Sequence, residues 1–120
     1  MQIIITGVHM DMTDAIREYS LEKMTSLDKF ISKDDTSARL NLELSKTTTH
    51  HTHGAFFQAE AQLHLSGKDT TLRTTQDDLY KAIDVLKDML SRELVQHKSK
   101  ERSVFRKSAH KLKSLFKKLP

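Results

Sequence analysis

The chain has 120 residues, of which 37% are hydrophobic, so it can form one domain with an adequate core and leaves no room for a second. The absence of cysteine excludes disulfides, a thiol nucleophile and cysteine-ligated zinc. The net charge of +4 suggests a polyanionic partner, but residues 101–120 carry seven Lys or Arg and one Glu, which leaves 13 basic and 15 acidic residues, or −2, for residues 1–100.

The first part of the chain predicts a strand, a helix and a second strand. Gln2 to Gly7 is a β-branched run that ends in glycine, and it predicts a strand near the centre of the sheet. Residues 11–31 carry apolar residues at helical spacing, and Asp11 or Thr13 can cap this helix. From Ala38 the hydrophobic period changes to two, which is typical of a strand with one buried and one solvated face.

The second part predicts two further strands and a long helix. Residues 57–65 alternate in the same way, a glycine-containing turn follows, and the threonine-rich residues 69–75 can return as a fourth strand. Residues 77–100 predict an amphipathic helix whose apolar stripe comprises Leu79, Ala82, Ile83, Leu86, Met89, Leu90, Leu94 and His97. The order β-α-β-β-β-α predicts an α+β fold, a four-stranded mixed sheet with both helices packed on one face.

The end of the chain has a different character. Phe105, Ala109, Leu112, Phe116 and Leu119 recur at helical spacing among Lys and Arg residues. This apolar stripe is too narrow to fold alone, because isolated helices of this length are marginal in water. We therefore expect a chain of two parts, a folded domain at 1–100 and a mobile basic amphipathic tail at 101–120.

Other classes of function have little support. His50, His51 and His53 could suggest zinc or nickel, but neighbouring loop histidines rarely converge on one ion, so we expect a solvated hairpin loop without metal or other cofactor. No nucleophile elbow, phosphate loop or dinucleotide-binding turn is present, so we expect neither an enzyme nor a small-molecule substrate. The N-terminus has no basic start and only a short apolar run, which predicts a cytoplasmic protein without a signal peptide or membrane span.

The basic residues of the two predicted helices are the remaining indication of function. Singly, each is more often a solvated surface charge than a binding residue. If both helices pack side by side, however, some of these cations line an outward groove at spacings that suit the phosphates of folded RNA. The candidate RNA-binding residues are Arg17, Lys23, Lys29, Lys81, Lys87, Arg92, Lys98 and Lys100.

Four segments carry a recognisable set of motifs. They are Ile5-Thr6-Gly7, MTDAIREY at 12–19, EKMTSLDKF at 22–30, and DDLYKAIDVL at 77–86, which is followed by SREL and HKSK. The chain thereby resembles the family of ribosome hibernation promoting factors and ribosome-associated inhibitors over roughly residues 1–100. The DLYKAID core is similar to the family's DMYAAID.

The resemblance implies a fold like the double-stranded-RNA-binding domain in a bacterial or plastid protein. It also implies binding to the small ribosomal subunit and its rRNA in the decoding channel, over the positions of messenger and transfer RNA, so that resting ribosomes stay idle. The expected action is occlusion without turnover by a chain that is monomeric away from the ribosome. Lys81 and Lys87 come from helix geometry alone, whereas the candidates that match the family pattern are Arg17, Lys23, Lys29, Arg92, Lys98 and Lys100.

The chain also departs from this family. Long members carry a second domain that dimerises ribosomes, for which we expect no room here, and the basic tail does not match the acidic tail of some inhibitor-type members. The fourth strand is more polar than usual. Promotion of paired ribosomes and idling of single ribosomes both stay open, and the alternative function is a membrane-surface or protein-partner module that acts through the tail.

Overall fold

The computed structural model describes residues 1–48 and 55–117, which form a four-stranded sheet and two helices. The strands are β1 (Gln2–Val8), β2 (Arg39–Thr48), β3 (Ala55–Leu65) and β4 (Lys68–Gln76). The helices are α1 (Asp14–Thr25), which continues as a 3-10 turn at Ser26–Phe30, and α2 (Leu79–Lys117). The predicted element order and the α+β class are confirmed.

The strands lie in the order β1-β2-β3-β4, with β1 parallel to β2 and the other pairs antiparallel. The prediction that β1 is central is therefore wrong, since β1 lies at an edge of the sheet. Its β-branched run indicated burial on one face, and that part holds: Ile5 is 9% exposed and Ile4, on the opposite face, is 50% exposed. Burial on one face does not fix a strand's position within the sheet.

Both helices pack on the same face of the sheet, as predicted. Leu40, Leu42 and Leu44 in β2 are buried, whereas Asn41 and Glu43 between them are exposed. Helix α1 contacts β1, helix α2 contacts β3 and β4, and the two helices contact each other. The opposite face of the sheet is consequently the solvated one.

The β3–β4 hairpin accommodates the polar fourth strand. Its two-residue loop is Ser66-Gly67, and Gly67 has φ +79°, a left-handed conformation that glycine adopts without strain. Leu72 packs against the core, while the Lys68 ammonium lies 2.6 Å from the Glu93 carboxylate in α2. Leu72 therefore anchors β4 in the core, and the ion pair joins β4 to α2.

Helix α1 begins at a side-chain cap. The Thr13 hydroxyl accepts a hydrogen bond from the Ile16 N–H at 3.2 Å, so Thr13 rather than Asp11 is the N-cap. The predicted helix over 11–31 is too long, because the last part adopts the tighter 3-10 geometry. The apolar spacing continues through that turn, where Leu27 is fully buried, so spacing alone did not locate the end of the helix.

Helix α2 is longer than predicted. The Asp78 carboxylate accepts a hydrogen bond from the Tyr80 N–H at 2.9 Å and caps the start, but the helix continues to Lys117 instead of ending at Lys100. Cations near residue 100 are typical of a helix end, yet neither glycine nor proline follows them before Pro120. The division at residue 100 and the mobility of the tail stay predictions.

The core lies between the helices and the sheet. Ser20 is also fully buried there, and its hydroxyl has no hydrogen-bond partner among the residues that the structure describes. Sequence analysis missed Ser20 because serine is polar, although its spacing from Ile16 and Met24 places it on the inner stripe of α1. The predicted stripe of α2 is confirmed at its buried positions, which are Leu79, Ala82, Ile83, Leu86, Leu90 and Leu94.

Candidate RNA-binding surface

Helices α1 and α2 meet at four polar and aromatic side chains, here termed the junction cluster. The Tyr19 hydroxyl donates a hydrogen bond to Asp84 at 2.5 Å, and the Lys23 ammonium lies 3.5 Å from the same carboxylate oxygen. The ring of Tyr80 packs edge to face on the ring of Tyr19, with centroids 4.9 Å apart. The junction cluster thus fixes the two helices side by side, the arrangement on which the candidate surface depends.

Electrostatics within the junction cluster favour the protonated form of Tyr19. The hydrogen bond to Asp84, together with burial and the charge of that carboxylate, raises the pKa of Tyr19 to about 12. The Tyr19 hydroxyl therefore stays protonated, and a donor, to higher pH than an ordinary tyrosine. Lys23 also lies 5.3 Å from the centroid of the Tyr19 ring, so a carboxylate and an aromatic face position its charge.

Two cations of α2 pair with neighbouring carboxylates. The Lys81 ammonium lies 3.8 Å from Asp77, and the Lys87 ammonium lies 3.9 Å from Asp88. Ion pairs that are at least partly exposed contribute little to stability, so both lysines can exchange their partners for phosphate at small cost. Pairing does not remove them from the candidate surface.

Three cations further along α2 are less constrained. Arg92, Lys98 and Lys100 are exposed, and they form no ion pair with the side chains that the structure describes, which are those of residues 1–47, 55–100 and 107. They follow Lys81 and Lys87 along the same helix. The structure therefore brings five of the eight candidates onto α2.

The candidates on α1 are more dispersed. Lys23 belongs to the junction cluster, whereas the guanidinium of Arg17 reaches back to edge strand β1, where it donates to the Ile5 carbonyl at 3.5 Å. Lys29, in the 3-10 turn, lies 5.2 Å from the centroid of the Phe30 ring. Among these three, Lys23 alone forms an ion pair with a described residue of α2, and the RNA-binding role of all three stays a prediction.

Sequence analysis missed the acidic and aromatic partners within the candidate surface. Tyr19 and Lys23 are four residues apart on α1, and Tyr80 and Asp84 are four residues apart on α2, so each pair lies on one helix face. These two spacings could have indicated a contact between complementary pairs. They could not show that the pairs meet, because that depends on how the sheet places the helices.

Asp35 illustrates a carboxylate with a structural role. It forms part of the wall of a depression of about 390 Å³, which is also lined by Phe30, Leu65 and Leu94. Hydrogen bonds from the Ser37 hydroxyl and from backbone N–H groups hold the pKa of Asp35 below its usual value. Asp35 thereby fixes the loop before β2.

The described part of the chain provides no evidence for a metal centre. No group of three His, Asp or Glu side chains is placed there to hold an ion. His50, His51 and His53, the histidines considered from the sequence, lie outside the described residues. In the same described ranges, no helix is long and apolar enough to cross a membrane.

Comparisons with known sequences agree with the motifs. Residues 3–102 match the family described as sigma 54 modulation protein / S30EA ribosomal protein. The ribosome hibernation promoting factor of Azotobacter vinelandii is 35% identical over 101 residues, which cover 84% of this chain and 86% of the relative. The ribosome hibernation promoting factor of Escherichia coli strain K12 is 33% identical over 100 residues, 83% of this chain and 96% of the relative.

Solved structures agree with the fold. The N-terminal domain of Thermus thermophilus Protein Y matches with a TM-score of 0.68 and 28% identity, over 81% of this chain and 99% of that domain. A ribosomal subunit interface protein from Coxiella burnetii shares the fold, with a TM-score of 0.60 and 24% identity over 82% of this chain and 99% of that protein. The chain belongs to the sigma 54 modulation protein / S30EA ribosomal protein family, which confirms the predicted resemblance to ribosome hibernation promoting factors.

Proposed function

We propose that this chain is a cytoplasmic ribosome hibernation factor. It binds the small ribosomal subunit in the decoding channel and inhibits translation in resting cells, because it occupies the positions of messenger and transfer RNA. The observation that carries the proposal is the side-by-side packing of α1 and α2, which holds Lys23 and the cations of α2 on rigid elements. Relatives that bear the name of ribosome hibernation promoting factor support it.

The geometry of α2 suits contact with a folded RNA. At a rise of about 1.5 Å per residue, the cations from Lys81 to Lys100 span about 29 Å along one helix. Because the helix is already ordered, little conformational entropy is lost when several cations engage phosphates together. Contacts of this kind position a protein by the shape of the RNA and carry little sequence information.

Inhibition then requires no chemical step. A domain that occupies the channel excludes any RNA that would use the same space. Binding and inhibition should consequently have the same dependence on protein concentration. They should also weaken together as salt rises, because phosphate contacts release counterions.

Chemical footprinting of purified small subunits tests this proposal. The expected result is protection of small-subunit RNA around the messenger and transfer RNA positions. Saturation with messenger and initiator transfer RNA should displace the protein and abolish the protection. Protection confined to other regions, or binding that messenger and transfer RNA leave unchanged, would contradict the proposal.

A further inference from the structure

Helix α2 extends well beyond the domain that it helps to form. In the described part of α2 the last buried side chain is Leu94, yet the helix continues to Lys117, about 35 Å further at 1.5 Å per residue. The family match ends at residue 102. Residues 103–117, here termed the α2 extension, therefore lie beyond the matched domain, and Lys107 within them is exposed.

The α2 extension and the last three residues carry the basic charge of the protein. Residues 103–120 contain six Lys or Arg and no acidic residue, which leaves 14 basic and 16 acidic residues, or −2, for residues 1–102. A domain with a net negative charge does not attract a polyanion at long range. Residues 103–120 are therefore the part of the chain whose net charge favours long-range attraction to RNA.

Most of these cations continue the side of α2 that carries Lys81 and Arg92. Counted at about 100° per residue, positions 106, 107, 113 and 117 fall within about 60° of Arg92 around the helix axis. Arg92 is exposed and, within the described residues, without an ion pair. A polyanion that engages Arg92 can thus follow the same helix outward onto the α2 extension.

The sequence of the α2 extension also favours a polyanionic partner over a neutral one. From Arg102 onward, three pairs of like charges stand four residues apart, at 102 and 106, 107 and 111, and 113 and 117. Such pairs destabilise a helix in water, and no acidic residue after Glu101 relieves them. Phosphates alongside the helix would neutralise this repulsion.

We propose that the α2 extension is a second RNA-binding element, which contacts the phosphate backbone of structured RNA and supplies much of the salt-dependent affinity. The inference rests on the proposed function, since it assigns small-subunit RNA as the partner. Two parts of the chain then have different roles: the domain recognises the shape of its site, and the α2 extension provides electrostatic attraction to the RNA. Continuity with the cations of the domain favours RNA over an anionic membrane.

Two full-length variants of equal net charge test the inference. The first carries Arg106→Gln, Lys113→Gln and Lys117→Gln, which preserve helix propensity. The control carries Lys33→Gln, Arg39→Gln and Lys46→Gln, three exposed cations outside both helices. Affinity for purified small subunits is measured between about 0.05 and 0.2 M salt, the range over which phosphate contacts are lost.

The expected result is a difference between the two variants. The first should flatten the slope of log affinity against log salt by about 2 to 3, as expected for three lost phosphate contacts, and the control should keep the slope of the unmodified chain. Equal slopes for the two variants would overturn the inference, because net charge alone would then explain the attraction.

A second pair of probes separates this inference from the proposed function. The probes are a double-stranded RNA hairpin and vesicles that contain anionic phospholipid. If the unmodified chain fails to bind small subunits but binds the hairpin with a slope that only the first variant flattens, the proposed function and the assignment of small-subunit RNA fail, whereas RNA binding by the α2 extension stands. Tighter binding to vesicles than to the hairpin, lost on Phe105→Ser with Leu112→Ser, would overturn the inference in favour of a membrane partner.

Discussion

The Tyr19 hydroxyl donates a hydrogen bond to the Asp84 carboxylate at 2.5 Å, and this contact joins α1 to α2 across 65 residues of sequence. The same carboxylate oxygen lies 3.5 Å from the Lys23 ammonium. One acceptor therefore sets both the spacing of the two helices and the position of a candidate RNA-binding cation.

Removal of the Tyr19 hydroxyl should destabilise the protein modestly. Tyr19→Phe keeps the ring contact but deletes a hydrogen bond to a charged acceptor, so the free energy of unfolding should fall by about 1 to 2 kcal/mol. Tyr80→Phe is the matched control, because it retains both the edge-to-face contact and the bond between Tyr19 and Asp84. Denaturant unfolding measures both variants, and equal losses would show that the bond contributes nothing specific.

Stability should depend on the ionisation of Tyr19 at high pH. The pKa of Tyr19 is raised from 10.0 to about 12 in the folded state, so folding favours the neutral phenol. This contribution is fully present below pH 10 and is lost as pH rises from about 10 through about 12. The difference in unfolding free energy between the unmodified chain and Tyr19→Phe should therefore shrink over that window; a constant difference would contradict the assignment.

Truncation of Leu86 should be costly. Leu86 is fully buried between α2 and the sheet, so Leu86→Ala should lower the free energy of unfolding by about 2 to 5 kcal/mol. Val95→Ala, on the same helix but at a side chain that is 52% exposed, should change it by about 0.5 kcal/mol or less. Chemical denaturation compares the two variants, and similar losses would place Leu86 outside the core.

Substitution of Ser20, unlike that of Leu86, should not destabilise the protein. Its hydroxyl is buried and lacks a hydrogen-bond partner among the described residues, and an unsatisfied group of this kind opposes folding. Ser20→Ala should therefore leave the thermal midpoint unchanged or raise it, with a gain of up to about 1 kcal/mol. Ser26→Ala removes a hydroxyl that donates to the Lys23 carbonyl at 2.6 Å and should not stabilise the fold. A clear loss of stability in Ser20→Ala would reveal a partner for its hydroxyl.

The sequence predicted most of the fold because its periodicities are local. Alternation in β2 and the stripe of α2 each depend on which side of an element is buried, and both are confirmed. The predictions that β1 is central and that α2 ends at residue 100 were wrong. The position of β1 depends on pairing between distant strands, and the cations that indicated a helix end also occur inside an exposed helix.

The candidate surface was less predictable. The apolar stripes of the helices predicted their side-by-side packing. The contact between Tyr19 and Asp84 also depends on how far each helix is displaced along its axis relative to the other, which the strands of the sheet determine. Arg17 was grouped with the groove by its charge, and the structure places its guanidinium at β1. Charge type is a property of the sequence, whereas the grouping of charges belongs to the tertiary structure.

The central claim is that cations on α2 bind the ribosome. Its most direct test compares Lys81→Glu, Arg92→Glu and Lys98→Glu in one chain with a control of equal charge change, Lys33→Glu, Arg39→Glu and Lys46→Glu. All six residues are exposed, so both chains should keep nearly the same melting temperature.

Affinity for purified small ribosomal subunits is the quantity to measure. Charge reversal on α2 should weaken binding by about 100-fold or more, because it replaces attraction to phosphate by repulsion, and the control should bind nearly as well as the unmodified chain. Equal weakening of both chains, or unchanged binding by the chain altered on α2, would contradict the claim.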